Sequence, residues 1–430
     1  MQMIKWSAIA VAVAAATSSV AMANQADSKG FVEDSSFSIL NRNTFIHRDY
    51  HRGGSSANYD NSSANPAPYT QEWAHGIITN FESGFTQGTV GVGVDAFTLT
   101  SIKLDSGKGR AGILELDRDS DGRSKDTAST AGAAVKFRVS NSVLKYGDQF
   151  VGLPVYSTDD SRVLPESTTG TLLTSNEIEG LEVNVGRFTA LSKQRDMSTD
   201  GSAALKSANV YGASYSFTEN FSGSLYASDV EDVFKKKYIN LNYNLPLADD
   251  QSLNFDLNGY RTKGDGKAKD DHDNKIWSLA AAYNIGAHTL TLAHQRSSGD
   301  TGYSYGADGR GTIWLANSVQ VKDFNAEEET SWQVRYDLNM ASFGIPGLTF
   351  MTRYVTGDDA VVRNNAGGIV DKNATRWERD IEAKYVIQEG AAKDLSFRVR
   401  QATVRSDQSF GSGNDLDDYR LIVEYPLSIL

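Results

Sequence analysis

Leu395-Ser-Phe-Arg-Val-Arg400 and Tyr419-Arg-Leu-Ile-Val-Glu-Tyr425 decide the fold. Successive side chains of a strand point to opposite faces. In the first stretch Leu395, Phe397 and Val399 share one face, and Ser396, Arg398 and Arg400 the other. In the second, Tyr419, Leu421, Val423 and Tyr425 oppose Arg420 and Glu424. Each strand therefore carries one apolar wall and one charged wall. In a soluble sandwich the apolar wall covers a core and the arginines face bulk water. In a membrane barrel the apolar wall faces lipid and the arginines line a water-filled lumen.

The N-terminus sets the compartment. Met1–Lys5 holds one lysine, Trp6–Ala16 is apolar but too short to span a bilayer, and Ala21-Met22-Ala23 is an A-x-A cleavage site. Residues 1–23 read as a signal peptide and residues 24–430 as a single outer-membrane barrel domain. No later apolar run is long enough for a transmembrane helix. The chain has no cysteine, so no disulfide framework is expected. No composition break or proline-rich linker divides it, which favours one large closed sheet over several soluble domains.

Segments with strand character fall near residues 37–47, 69–82, 89–103, 132–139, 143–148, 168–176, 180–189, 207–217, 221–231, 236–246, 250–262, 275–285, 287–297, 330–340, 347–356, 376–388, 393–405 and 416–428. The fold class expected from these eighteen segments is all-β, a transmembrane antiparallel barrel with inward-folded extracellular loops. Tight turns alternate with longer polar connections such as 48–68, 104–131, 149–167, 190–206, 298–329 and 357–375. Short periplasmic turns and long outer loops mark outer-membrane barrels. Thr312–Val321 could form one more strand but would make the count odd, so it is placed inside a folded loop. Aromatics such as Trp73, Phe81, Tyr238, Tyr243, Trp277, Trp332, Trp377 and Tyr425 sit near strand ends, as in interfacial girdles. The formal charge of −12 is carried mostly by acidic loops and argues against a nucleic-acid partner. The final strand departs from the usual barrel ending, with Pro426 inside it and Leu430 rather than an aromatic at its end.

The runs Phe31-Val-Glu-Asp-Ser-Ser36, Glu82-Ser-Gly-Phe-Thr-Gln-Gly-Thr-Val-Gly-Val-Gly-Val-Asp-Ala-Phe97, Trp332-Gln-Val-Arg-Tyr-Asp-Leu-Asn339, Gly347-Leu-Thr-Phe-Met351 and Tyr425-Pro-Leu-Ser-Ile-Leu430 resemble the OprD family of substrate-specific outer-membrane channels. The likeness spans the chain after the signal segment. It implies a monomeric eighteen-stranded barrel, inward loops that form a narrow eyelet, and a ladder of basic side chains that guides carboxylate-bearing solutes. By position, Lys384, Arg398, Arg400 and Arg420 match the family's ladder, and Arg42 matches a lumen arginine on its first strand. One branch of the family favours basic amino acids and another cyclic or aromatic monocarboxylates.

Strand parity finds the ladder independently. With Trp332, Val334 and Tyr336 outward, Arg335 is inward; with Leu348, Phe350 and Tyr354 outward, Arg353 is inward. The same parity turns Lys384, Arg398, Arg400, Arg420 and Arg42 inward. In a closed barrel the first and last strands pair, so these bases occupy six adjacent strands on one side of the lumen. Such a wall focuses anions, and arginine grips a carboxylate with a planar, permanently charged fork. The structural alternative is that Asp380, Glu382 and Glu424 simply neutralise these arginines.

The constriction is assigned to the 149–167 loop, with Asp159, Asp160, Ser161 and Arg162, together with inward Lys136 and Arg138 on the fourth strand. Leu153-Pro-Val155 and Val163-Leu-Pro165 are too apolar for a loop tip in water, so the loop is expected to fold inward. Arg162 is expected to neutralise one of the two aspartates, with help from Lys136 and Arg138. That would leave the eyelet net basic and favour a benzoate-like monocarboxylate over arginine.

No cofactor and no metal are expected. Asp117-Arg-Asp119-Ser-Asp121-Gly122 begins like a calcium loop, but its twelfth position is Ala128 rather than a bidentate glutamate. The six histidines (His47, His51, His75, His272, His288 and His294) show no ligand spacing. No nucleophile elbow, phosphate loop or dinucleotide fingerprint is present, so no enzyme is expected. An energised transporter would need a plug domain before its first strand, and an adhesin has no use for a basic wall. The expected protein is a passive porin in the outer membrane of a Gram-negative bacterium. Its expected partners are small anionic or zwitterionic solutes, with outer-membrane lipid and lipopolysaccharide around it, and it is expected to be monomeric or weakly trimeric.

Overall fold

The computed structural model describes residues 24–56, 66–107, 109–114, 116–119, 123–195, 198, 205–266, 272–308 and 310–430. The segment read as a signal peptide lies outside them, as does part of the calcium-like motif, at Ser120, Asp121 and Gly122. The strands in chain order are β1 (Ser36–Tyr50), β2 (Tyr69–Glu82), β3 (Gly91–Asp105), β4 (Thr127–Val139), β5 (Ser142–Gln149), β6 (Gly152–Leu153), β7 (Tyr156–Ser157), β8 (Ser167–Ile178), β9 (Leu181–Ser192) and β10 (Ala208–Thr218). They continue as β11 (Phe221–Val230), β12 (Phe234–Ala248), β13 (Gln251–Gly264), β14 (Asp273–Ile285), β15 (His288–Gly299), β16 (Thr330–Asn339), β17 (Leu348–Arg363), β18 (Ile369–Val386), β19 (Ser396–Ser406) and β20 (Leu416–Ser428).

All but β6 and β7 form one eighteen-stranded antiparallel sheet. Each strand pairs with the next, β5 pairs with β8, and β20 returns to β1 with Arg42 opposite Glu424. Closure leaves no sheet edge, which a bilayer without water cannot tolerate. No described helix is long and apolar enough to cross a membrane. The tight turns are built on residues that accept positive φ. Gly180 (φ +76°) closes β8 onto β9, and Gly286 (φ +55°) closes β14 onto β15.

The alternation holds in three dimensions. Val399 is 56% exposed on the outer wall, whereas Arg420, on a neighbouring strand, is 9% exposed inside. Trp332, Val334, Tyr336, Phe350, Tyr354, Ile381, Tyr385, Phe397, Tyr419 and Leu421 share the exposed outer face. Tyr238, expected in a girdle, points inward instead and packs 4.7 Å from the Tyr260 ring. The loop expected at 357–375 is mostly strand, because β17 and β18 run on as a hairpin past register shifts at Gly357, Ala360 and Val362.

The interior is filled from the long-loop side. The 150–166 connection roots among Phe188, Tyr226, Tyr238 and Tyr260, with the Tyr156 ring stacked on Phe188 at 4.6 Å. Its far end, Val163 and Leu164, is buried with Ile46, Ala74, Ile78 and Leu99 on the β1–β3 wall. The loop thus reaches across the lumen, as its apolar composition predicts. Thr312–Val321 is indeed loop, with Ile313 and Leu315 buried in the first cluster. Wall carboxylates pin these loops by accepting their backbone N–H groups. Glu378 takes Val321 and Lys322, each at 2.8 Å, and Glu72 takes Leu114 at 2.7 Å. Such charge-assisted bonds satisfy donors that no sheet can reach.

Candidate functional site: a basic wall facing an inward loop

The bases predicted by parity line one arc of the wall, from β16 through β20 to β1. The register sets several of them directly opposite one another: Arg335 faces Arg353, Lys384 faces Arg398, and Arg400 faces Arg420. Like charges in directly opposed cross-strand positions are destabilising.

The acids on the wall relieve only part of this. Arg335 bonds Asp337 at 2.7 Å, Arg353 bonds Asp380 at 2.5 Å and Arg420 bonds Asp418 at 2.6 Å. Arg420 also donates to the Gln320 carbonyl at 3.0 Å, which ties it to the 300–329 loop. These three arginines are braced. The group Lys384, Arg398 and Arg400, beside the short connection between β18 and β19, is not. Glu382 is its one ion-pair partner among the described residues, 2.9 Å from Arg400 and 3.7 Å from Arg398. Glu382 lies near the Arg400 Nε, yet that N–H is not aimed at it and is a buried donor without an acceptor. A buried donor in that state is costly unless something arrives to accept from it.

Arg42 differs from its neighbours. Its guanidinium pairs with Glu424 at 2.9 Å and with Asp160 of the inward loop at 2.7 Å. Arg162, expected to neutralise one of the two aspartates, donates to the Ser161 carbonyl and hydroxyl at 3.1 and 2.9 Å, and it is Arg42 that holds Asp160. Burial, with Glu424 and Asp159 nearby, pushes the Asp160 carboxyl up, and Arg42 opposes that shift. Asp159 takes the Ser161 N–H at 2.7 Å and forms no ion pair among the described residues.

Lys136 and Arg138 do face inward, but their partners are not on this loop. Lys136 shares Asp95 with Lys145, and Arg138 donates to Gln25 at 2.8 Å, with its guanidinium 4.2 Å from the Phe85 ring centroid. They sit toward the β4–β5 turn, where the Gln25 N–H bonds the Ser140 carbonyl. Parity gave their face correctly but not their height. Two arginines of the wall escaped notice. Arg48 pairs with Asp418 at 2.8 Å, and Arg376 bonds Glu329 at 2.6 Å. The inward parity of Arg48 is readable once β1 is extended to Tyr50, and Arg376, at the start of the 376–388 segment, shares the parity of Lys384. Asp117 of the calcium-like motif is held by Lys125 at 2.6 Å.

A closed eighteen-stranded barrel with this wall invites comparison with known channels. The sequence matches the family described as outer membrane porin, OprD family, over residues 29–429. The chain belongs to the OprD family of outer-membrane porins. It is 45% identical to Porin D of Pseudomonas aeruginosa, over the whole of both chains. Its fold is similar to that of Acinetobacter baumannii OccAB1, with a TM-score of 0.86 and 34% identity, covering 95% of this chain and all of that one. It is also similar to Pseudomonas aeruginosa OpdK, solved with vanillate, with a TM-score of 0.79 and 34% identity over 93% of this chain and all of that one. This OprD-family porin is thus an outer-membrane protein of the Gram-negative type that serves substrate uptake.

Proposed function

We propose that this porin passes small carboxylate-bearing solutes along its basic wall, with Lys384, Arg398 and Arg400 as the steps that take the carboxylate. Arg335, Arg353 and Arg420 shape the field above and beside them. The observation that carries the reading is the state of that group: two arginines share the Glu382 carboxylate, Lys384 directly opposes Arg398 and forms no ion pair among the described residues, and the Arg400 Nε–H has no acceptor. A visiting carboxylate would relieve the repulsion and fill the open donors. A row of similar weak sites lets it move on. No energy source is invoked, since the field alone concentrates anions at the wall. Small anionic or zwitterionic solutes are the partners so defined, and the aromatic outer face suits lipid and lipopolysaccharide.

For the body of the solute, a cyclic or aromatic monocarboxylate is the first reading. OpdK, similar in fold, was solved with vanillate, which carries one carboxylate on an aromatic ring. A basic amino acid is the second reading, and a specific observation favours it: across from the wall, Asp159 has no described cationic partner. The buried carboxyls of Glu166 and Asp308 also face each other there. The test is competitive uptake of labelled benzoate and labelled arginine into proteoliposomes. Benzoate entering faster supports the first reading, and arginine displacing it moves the porin to the second. Entry of neutral solutes of equal size at the same rate would defeat both.

A further inference from the structure

Arg42 lies on the basic arc and is easily counted as one of its steps, yet every nitrogen of its guanidinium is engaged. Nε donates to Glu424 at 2.9 Å, Nη2 to Asp160 at 3.1 Å, and Nη1 both to Asp160 at 2.7 Å and to the Arg162 carbonyl at 3.0 Å. Three of these four bonds hold the tip of the 150–166 loop. The two side chains are 8% and 11% exposed, so the contact is sheltered from water. The residue directly across β2 from Arg42 is Gly76. A Cβ at Gly76 would stand 2.6 Å from the Val163 carbonyl oxygen, 3.2 Å from the Val163 side chain and 3.3 Å from Leu164. The bare backbone of Gly76 is the seat on which the loop tip rests, and the Arg42 fork is the strap across it.

We infer that Arg42, seated beside Gly76, is the clamp that fixes the tip of the 150–166 loop against the β1–β2 wall and so sets the bore of the channel, and that it is not a step on the anion path. The root of the loop is held elsewhere, by Tyr156 against Phe188 and by the Tyr260 hydroxyl on the Pro154 carbonyl at 3.1 Å. Releasing Arg42 therefore frees the tip while leaving the root in place. A bidentate arginine–carboxylate pair supplies directional as well as electrostatic hold, which lysine cannot reproduce. The inference rests on the channel reading but not on the choice of solute, since a bore can be measured with salt and neutral polymers alone.

Conservative replacement separates clamp from step. Arg42→Lys keeps the charge that a step needs and removes the fork that a clamp needs. Asp160→Asn keeps the arginine and removes its loop partner. For a clamp, each raises single-channel conductance in KCl, adds open-channel noise and admits larger neutral polyethylene glycols. Gly76→Val moves all three readouts in the same direction by unseating Val163. The Arg42→Lys/Asp160→Asn double variant goes no further than either single one, because both remove the same contact. Two results would overturn the inference. In one, Arg42→Lys has wild-type conductance, noise and cut-off. In the other, Asp160→Asn shifts only the reversal potential toward anions, with the bore unchanged. Heat-modifiable migration of each variant checks that the barrel itself has folded. Should Arg42→Lys fail that check, Asp160→Asn and Gly76→Val, outside the first strand, still decide the matter.

Discussion

Replacing Arg398 and Arg400 together by glutamine should weaken the porin's grip on a small carboxylate without weakening the barrel. Arg398 and Arg400 share Glu382 with Lys384 alongside, and the double variant leaves of this group Lys384 and Glu382, one charge of each sign. The register places Lys384 directly opposite Arg398. Two such charges about 6 Å apart repel by about 3 kcal/mol at an effective dielectric near 20, and by about 0.7 kcal/mol in bulk water. A carboxylate bridging the group exchanges that repulsion for charge-assisted hydrogen bonds worth about 1.5–3 kcal/mol each. After part of this is lost to dehydration of the solute, a net loss of about 1–3 kcal/mol is expected in the double variant, a 5- to 150-fold weaker affinity. The assay is concentration-dependent block of single-channel current by benzoate in planar bilayers, with the reversal potential across a KCl gradient as the second readout. Raising the salt from about 0.1 M to about 1 M shortens the screening length from about 10 Å to about 3 Å, so the wild-type advantage should shrink in step. The temperature at which the folded band is lost in gels should stay level or rise, because repulsion has been removed. Unchanged block together with unchanged ion selectivity would refute the reasoning. A fall in barrel stability with unchanged block would mean that these arginines serve only the wall.

Glu166, at the end of the inward loop, is pushed up to about 9 by burial and by the facing Asp308 carboxylate. Because this pKa lies above its ordinary value of 4.5, the stability it lends the loop is fully present below about pH 4.5. It declines as pH rises and is lost as pH passes about 9. Open-channel noise should therefore grow between neutral pH and about pH 9–10, and Glu166→Gln should flatten that rise; noise independent of pH in the unaltered porin would contradict it. Phe188 is fully buried against Tyr156, so Phe188→Ala removes the root of the same loop at a cost of about 3–5 kcal/mol. Limited proteolysis should then cut within residues 150–166 while the barrel keeps its strand-dominated circular dichroism, whereas resistance equal to the unaltered protein would show that the root lies elsewhere.

Strands were legible because a membrane barrel imposes one rule throughout: every residue faces either lipid or lumen, and the two alternate. The rule placed Trp332 outside and Arg335 inside with no knowledge of their neighbours. It weakened above the bilayer, where both faces of β17 and β18 meet water and bulges break the period, so Gly357–Ala360 read as loop. Parity also says nothing about height along the barrel, which is why Lys136 and Arg138 were grouped with the acids of the 149–167 loop, whereas their partners are Asp95 and Gln25. Nor can it show which charges are already spent. Arg42 and Arg398 have the same parity and charge. Arg42 is closed off by Asp160, 118 residues away in the chain, and by Glu424, 382 residues away. Arg398 has only a loose contact with Glu382 at 3.7 Å. Closure of the sheet and the inward fold of one loop create that difference, and neither leaves a local trace in the sequence. On the proposed reading, the sites that act on a solute are those whose donors the fold has left open. A hydrogen-bond account of the wall therefore separates the steps from the braces, where a count of arginines would merge them.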